Sequence, residues 1–164
     1  MKEGLALQRA IGGRILQQLW LGLQVEAYID AGRYAEGWTA LEEAMTIRPN
    51  HGDRYWEAEL YRLKGELLLA QARPNSKMPD FQRSPTVKMG VEACYQQALE
   101  VARELSAKSL ELRATTSLAR LWQQQGKTAE AHQMLSVIYS WFTEGFDTKD
   151  LQEAKALLAA LDRQ

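Results

Sequence analysis

Three stretches of this chain, residues 18–51, 58–102 and 112–143, repeat the same order of anchors, and self-similarity on that scale restricts the fold more than any single residue does. The anchors are Tyr28, Gly32, Tyr34, Leu41, Ala44 and Pro49 in the first stretch. Tyr61, Gly65, Leu68, Tyr95, Ala98 and Leu99 follow in the second, and Leu118, Ala119, Trp122, Gly126, Ala131 and Leu135 in the third. Each stretch reads as a helix, a tight turn and a second helix. Val25, Gly65 and Ala119 fall at the equivalent helix crossing, where close approach favours a small or slim side chain. The step from the second unit to the third is longer than the step before it, because an insertion at 73–86 sits inside the middle unit.

Helix punctuation follows the same plan. Gly12 and Gly13 precede a helix of roughly 14–31, Gly32 ends it, and Tyr34 to Ile47 form the next, stopped by Arg48-Pro49-Asn50. Asp53 is the expected N-cap of a long helix that runs to Arg73-Pro74-Asn75. From there to Ser84 the chain carries prolines and no apolar period, so it reads as a loop within one domain. Ser84-Pro85 restarts a helix, cap first and proline at the first helical position. Beyond it Val87, Val91, Tyr95, Ala98, Leu99 and Ala102 recur at three and four residues. Helices of about 107–125 and 128–142 complete the third unit. A last helix of about 148–162, capped by Asp147 or Thr148, carries Leu151, Ala154, Leu158 and Leu161 on one face and is expected to cover the open end. No segment sustains strand alternation, so the expected class is all-α, in a single domain spanning 1–164.

The 164 residues, 46% of them hydrophobic, suffice for one continuous core. Twenty basic against twenty-one acidic residues remove the electrostatic footprint of a nucleic-acid or anionic-membrane binder. A lone cysteine, Cys94, forbids an internal disulfide or a multi-cysteine metal site and reads as a packed thiol in a reducing compartment. The most apolar region near the N-terminus, Ile15 to Val25, is interrupted by Gln17, Gln18 and Gln24, which suits neither a signal peptide nor a membrane span. Leu5, Leu7 and Ala10 read as the tail of an earlier helix, as in a piece of a longer protein.

The anchors resemble the tetratricopeptide repeat over residues 18–143. They depart from it at Val25, where a smaller residue is usual, at Gly37 in place of alanine, and at Thr143 in place of a terminal proline. The resemblance implies a right-handed superhelical stack of about three helix pairs, closed by a C-terminal capping helix. Residues 59–70, 107–114 and 141–148 are similar to the C-terminal helical-repeat region of large bacterial signalling proteins that carry a predicted ATPase module, often beside a nucleotide cyclase. That similarity implies a cytoplasmic scaffold or sensor segment.

Signals for chemistry are sparse. Gly126-Lys127-Thr128 matches the end of a phosphate-binding loop, but Leu121 stands where the first glycine is needed and a helix replaces the preceding strand. His51 and His132 have no partner at metal spacing, and neither they nor Cys94 can be assembled into a catalytic set. Acidic neighbours such as Glu59 and Glu66 flank Arg62 at helical spacing, which suits surface ion pairs. No enzyme activity, cofactor or metal is expected. Trp20, Tyr28, Trp38, Tyr61, Tyr95, Trp122, Tyr139 and Trp141 fall on apolar stripes as core aromatics, with Trp56 partly exposed.

In such a stack the first helices line a concave surface. Counting from the anchors, that surface takes Gly22, Glu26 and Ile29 from the first unit, Glu59, Arg62, Glu66 and Leu69 from the second, and Arg113, Thr116, Arg120 and Gln123 from the third. Acidic side chains gather toward its N-terminal end and basic ones toward the other. The expectation is a groove that binds a peptide or helix of a protein partner by charge complementarity, tolerant of charge reversal because its side chains are exposed. A segment that instead regulates another domain of its own longer chain, and self-associates, is the alternative; small-molecule binding has little support.

Overall fold

The computed structural model describes residues 13–47, 54–71 and 85–163, and every regular element among them is an α-helix. They are α1 (Gly13–Asp30), α2 (Tyr34–Thr46), α3 (Tyr55–Gln71), α4 (Pro85–Glu104), α5 (Lys108–Gln124), α6 (Thr128–Tyr139) and α7 (Lys149–Leu161). The expected insertion at 73–86, Asp53 and His51 fall wholly or mainly outside the described residues.

Helix periodicity accounts for the buried faces. On α2 Gly37, Ala40, Leu41 and Ala44 are buried, and on α7 Leu151, Ala154, Leu157 and Leu161, each set at spacings of three and four. Leu41, Leu67, Leu118 and Leu135 are almost wholly enclosed, each stabilising the fold by about 1.5–3 kcal/mol.

Consecutive helices pair as α1 with α2, α3 with α4 and α5 with α6. The first helices also touch in sequence, α1 to α3 to α5 to α7, and each second helix touches the first helix that follows it. Second helices do not meet one another among these elements. The first helices thus make one continuous row, and α7 closes it by packing on both α5 and α6.

The turns explain why the pairs fold back. At α1/α2 the Gly32 N–H donates to Ile29 O and the Arg33 N–H to Tyr28 O, and at α5/α6 Gly126 and Lys127 donate likewise to Gln123 O and Trp122 O. Both glycines take positive φ, +69° and +79°, as this helix ending requires. The side-chain cation after each glycine lies over the ring of the residue whose carbonyl accepts its N–H, Arg33 on Tyr28 at 4.9 Å and Lys127 on Trp122 at 5.6 Å. Between α4 and α5 the same hydrogen bonds form around Ser106, whose φ is +53°.

Close packing sets the crossing in the middle pair. A Cβ on Gly65 would stand 2.5 Å from Tyr95 Cε1, so only glycine lets the Tyr95 ring lie across α3. Val25 and Ala119, at the equivalent positions, are fully buried.

Two of the aromatics expected in the core are on the surface. Trp20 is 62% exposed because it lies on a side of α1 that neither α2 nor α3 covers. Trp141 is 58% exposed because α6 ends at Tyr139, short of the expected 142, and leaves it in the following turn against Phe142 and Lys108. At the start of α7, Thr148 occupies the cap position, but its hydroxyl donates to Gly145 O and not to the helix.

Candidate groove on the first-helix row

The row of first helices encloses an open groove of about 440 Å³. Glu26, Ile29 and Asp30 come from α1, Arg62, Leu63 and Glu66 from α3, Arg113, Thr116, Ser117 and Arg120 from α5, and Lys149, Asp150 and Glu153 from α7.

Its floor is an ion-pair network. Glu59, Arg62 and Glu66 recur on one face of α3, which faces α1 and α5. Arg62 Nη2 donates to Glu59 Oε1 at 2.6 Å and to Glu26 Oε1 at 2.7 Å, and its Nη1 lies 3.6 Å from Glu66 Oε1. Arg113 adds a second bridge, its Nη2 standing 2.8 Å from Glu26 Oε1 and 3.1 Å from Glu59 Oε1. Its Nε is 3.9 Å from Asp150 on α7, so four helices meet in one set of charges. The Glu66 carboxylate also accepts from Ser117 Oγ at 2.7 Å.

Burial works against the charge on Arg62, and Glu59, Glu66 and Glu26 together outweigh it, raising the guanidinium's hold on its proton. Behind Glu66 the Tyr95 hydroxyl is buried without a hydrogen-bond partner among the described residues, and burial, followed by the Glu66 charge, pushes the phenol well up.

The α5/α7 end is more open. Arg120 Nη2 donates to Glu153 Oε2 at 2.6 Å, with Lys149 Nζ 3.7 Å from the other oxygen. The hydrogen bond from Arg120 holds the Glu153 carboxyl below the usual carboxylate range.

Of the residues expected on one groove, Glu26, Ile29, Arg62, Glu66, Arg113, Thr116 and Arg120 line it. Glu59 is buried beneath them, and Gly22 is buried against α3. Leu69 packs instead on a core cluster formed by α4 and α5, because α3 has turned that position away from the row, and Gln123 is half-buried without reaching the groove. The exposure on which the expected tolerance to charge reversal rests is missing at Glu59 and Arg62, whose side chains are only 4% and 10% exposed. The contribution of α7 went unforeseen, although Asp150 and Glu153 sit three apart, on a different face from the buried Leu151 and Ala154.

Elsewhere, the N–H groups of Gly126 and Lys127 that a phosphate would need are bonded to Gln123 O and Trp122 O. Cys94 is half-buried, and burial pushes its thiol up. His132 Nε2 lies 3.0 Å from Asp162 Oδ1, away from the groove. No group of three or more potential metal ligands gathers among the described residues, and no helix among them is long and apolar enough to cross a membrane. Comparison with protein families, with curated proteins and with solved structures finds no match to this chain.

Proposed function

We propose that this chain is a non-enzymatic protein-interaction module of the tetratricopeptide-repeat kind, whose groove takes a peptide or helix of mixed charge from a protein partner. The carrying observation is how unequally the groove's charges are exposed. At the α1/α3 end Glu26, Asp30 and Glu66 reach solvent while their counter-charge Arg62 is buried. At the other end Arg120 is 45% and Lys149 87% exposed, beside Glu153 at 38% and Asp150 at 43%. A ligand therefore meets an acidic entrance at one end and accessible cations at the other, though the separation of sign is partial. Such a field orients a chain with basic residues over α1 and acidic residues over α5 and α7, chiefly through specificity and encounter rate.

The test is a calorimetric titration with short peptides bearing a basic block at one end and an acidic block at the other, at low and at physiological salt. Binding weakened at least tenfold by Arg120→Glu with Lys149→Glu, and unchanged by Glu43→Lys with Glu130→Lys on the second helices, supports the reading. Equal loss from both pairs of substitutions would place the contact elsewhere.

A further inference from the structure

Among the described residues Asp30 is the one charged side chain lining the groove that has neither an ion pair nor a side-chain hydrogen bond, whereas every other charge there has a partner. It is exposed, and it is the last residue of α1, where the helix dipole presents its negative end. No basic residue lies in that last turn. The next cation along the chain, Arg33, is turned to Glu36 at 2.9 Å and to the Tyr28 ring. Counting from Val25, Gly65 and Ala119, the same position holds Ala70 on α3 and Gln124 on α5, neither of them charged. An acid here opposes the stability of α1, and a conflict of that kind between local preference and fold belongs to a functional position.

Its neighbours in the groove leave acceptors unused. Glu26 stands one turn earlier on α1, and Glu66 meets it at the Arg62 guanidinium. Each carboxylate joins the network through Oε1 alone, and no hydrogen bond among the described residues reaches Glu26 Oε2 or Glu66 Oε2. From the core side the Tyr95 hydroxyl, wholly buried, faces Glu66 without bonding to it. The remaining acceptor capacity of Glu66 is therefore left to the groove side. Half-buried Ile29 lies among the three acids and offers apolar surface to an aliphatic stem.

We propose that Asp30 is the specificity-determining residue of the groove, pairing with one basic side chain of the partner segment while Glu26 and Glu66 complete the set of acceptors. This rests on the reading of the groove as a peptide site and narrows its acidic entrance to a single contact. A lysine or arginine placed there supplies the counter-charge that Asp30 lacks and lays its methylene stem on Ile29.

The test matches charge-reversed protein with charge-reversed ligand, by calorimetric titration of the full chain at 0.15 M salt. The probe is a short peptide with a single arginine at one end and an acidic block at the other. Asp30→Lys should weaken its binding at least threefold. The same variant should bind the peptide carrying glutamate in place of that arginine at least threefold better than the wild type does. Glu43→Lys, an equal charge change at an exposed site on α2, should do neither. A direct contact lies well inside the screening length of about 8 Å at this salt, so the exchange should persist where a diffuse field fades. Asp30→Asn should also raise the urea midpoint, because it removes an acid from the negative end of α1. A lowered midpoint would show that the fold itself uses Asp30 and would overturn the proposal. Affinity unchanged in Asp30→Lys, with binding still lost in Arg120→Glu with Lys149→Glu, would overturn it too and leave the groove reading intact. No binding to the wild type even at low salt would end the groove reading and this proposal together.

Discussion

The two ends of the groove hold ion pairs of the same length and opposite consequence. Glu59 with Arg62 and Arg120 with Glu153 each close to 2.6 Å, but the first pair is 4% and 10% exposed and the second 45% and 38%. Water screens the outer pair, and holding two long side chains in one geometry costs entropy, so such a pair contributes about 0.2–1 kcal/mol. The inner pair has lost its hydration, and each charge depends on the others present. Burial, not distance, therefore separates charges that hold the first-helix row together from charges that remain available to a ligand.

The largest expected effect tests that division directly. Arg62→Ala leaves Glu59 buried with only Arg113 near it and should cost about 3–5 kcal/mol in urea unfolding, against at most about 1 kcal/mol for Arg120→Ala. Replacing both inner partners, Glu59→Met with Arg62→Met, removes the buried charges together and leaves Glu26 paired with Arg113. That double variant should lie much closer to the wild type than Arg62→Ala does. A cost for Arg62→Ala as small as that for Arg120→Ala would erase the distinction between the ends.

Packing beneath the inner end gives the next effect. Gly65→Ala gains helix propensity of about 1 kcal/mol but drives a methyl into the Tyr95 ring, and overpacking of that kind costs about 1–3 kcal/mol. The expected net is a loss of about 1 kcal/mol in thermal or urea unfolding. A stabilised variant would mean that α4 shifts away from α3 freely, and that the inner end is less rigid than its ion pairs suggest.

Helix order, pairing and turns were legible because each leaves a local mark: the spacing of Ala40, Leu41 and Ala44, the glycines at 32 and 126, the crossing at Gly65. The groove was legible as a face, since side chains one helical turn apart on α3 must share a side. Its energetics were not. Glu26 and Arg113 are far apart in sequence, and nothing local shows that they meet over Glu59, or that α7 brings Asp150 to the same guanidinium. Burial of Arg62 follows from the stacking of three helices, which the spacing of charges along α3 alone does not show. Trp20 misled for the reciprocal reason. Its apolar stripe is genuine, but whether a stripe is covered depends on what packs against α1.

Glu111 sharpens the comparison from outside the groove, as a buried acid whose cations are wetter than Arg62. Arg103 Nε donates to it at 2.8 Å across the Ser106 turn, and Lys108 Nζ at 2.8 Å from one turn earlier on α5. Burial raises its carboxyl's pKa, but the hydrogen bonds from Lys108 and Arg103 outweigh that and hold it below the usual carboxylate range. Its contribution is therefore present above the unfolded value and is lost as pH falls through the lower, folded one. Glu111→Gln should cost about 1–2 kcal/mol at pH 7 and flatten the fall in stability below about pH 4.5, read from urea midpoints across that range. An unchanged acid limb would assign that limb to other carboxylates.

The smallest effect on stability should accompany the clearest effect on binding. Arg120 and Lys149 stand at the wet end, where removing either charge leaves only a hydrated carboxylate behind, so Arg120→Ala and Lys149→Ala should each change unfolding free energy by less than about 1 kcal/mol. If the groove receives the acidic part of a ligand there, the same substitutions weaken a mixed-charge peptide severalfold at low salt. The difference should shrink near 0.15 M salt, where charges more than about 8 Å apart are screened. Arg62→Ala does not separate the two effects, because it lowers stability together with removing the charge. Affinity that is unchanged in Arg120→Ala and Lys149→Ala at every salt concentration would mean that the accessible cations of the open end play no part in holding a partner, and that the acidic entrance over α1 carries recognition alone.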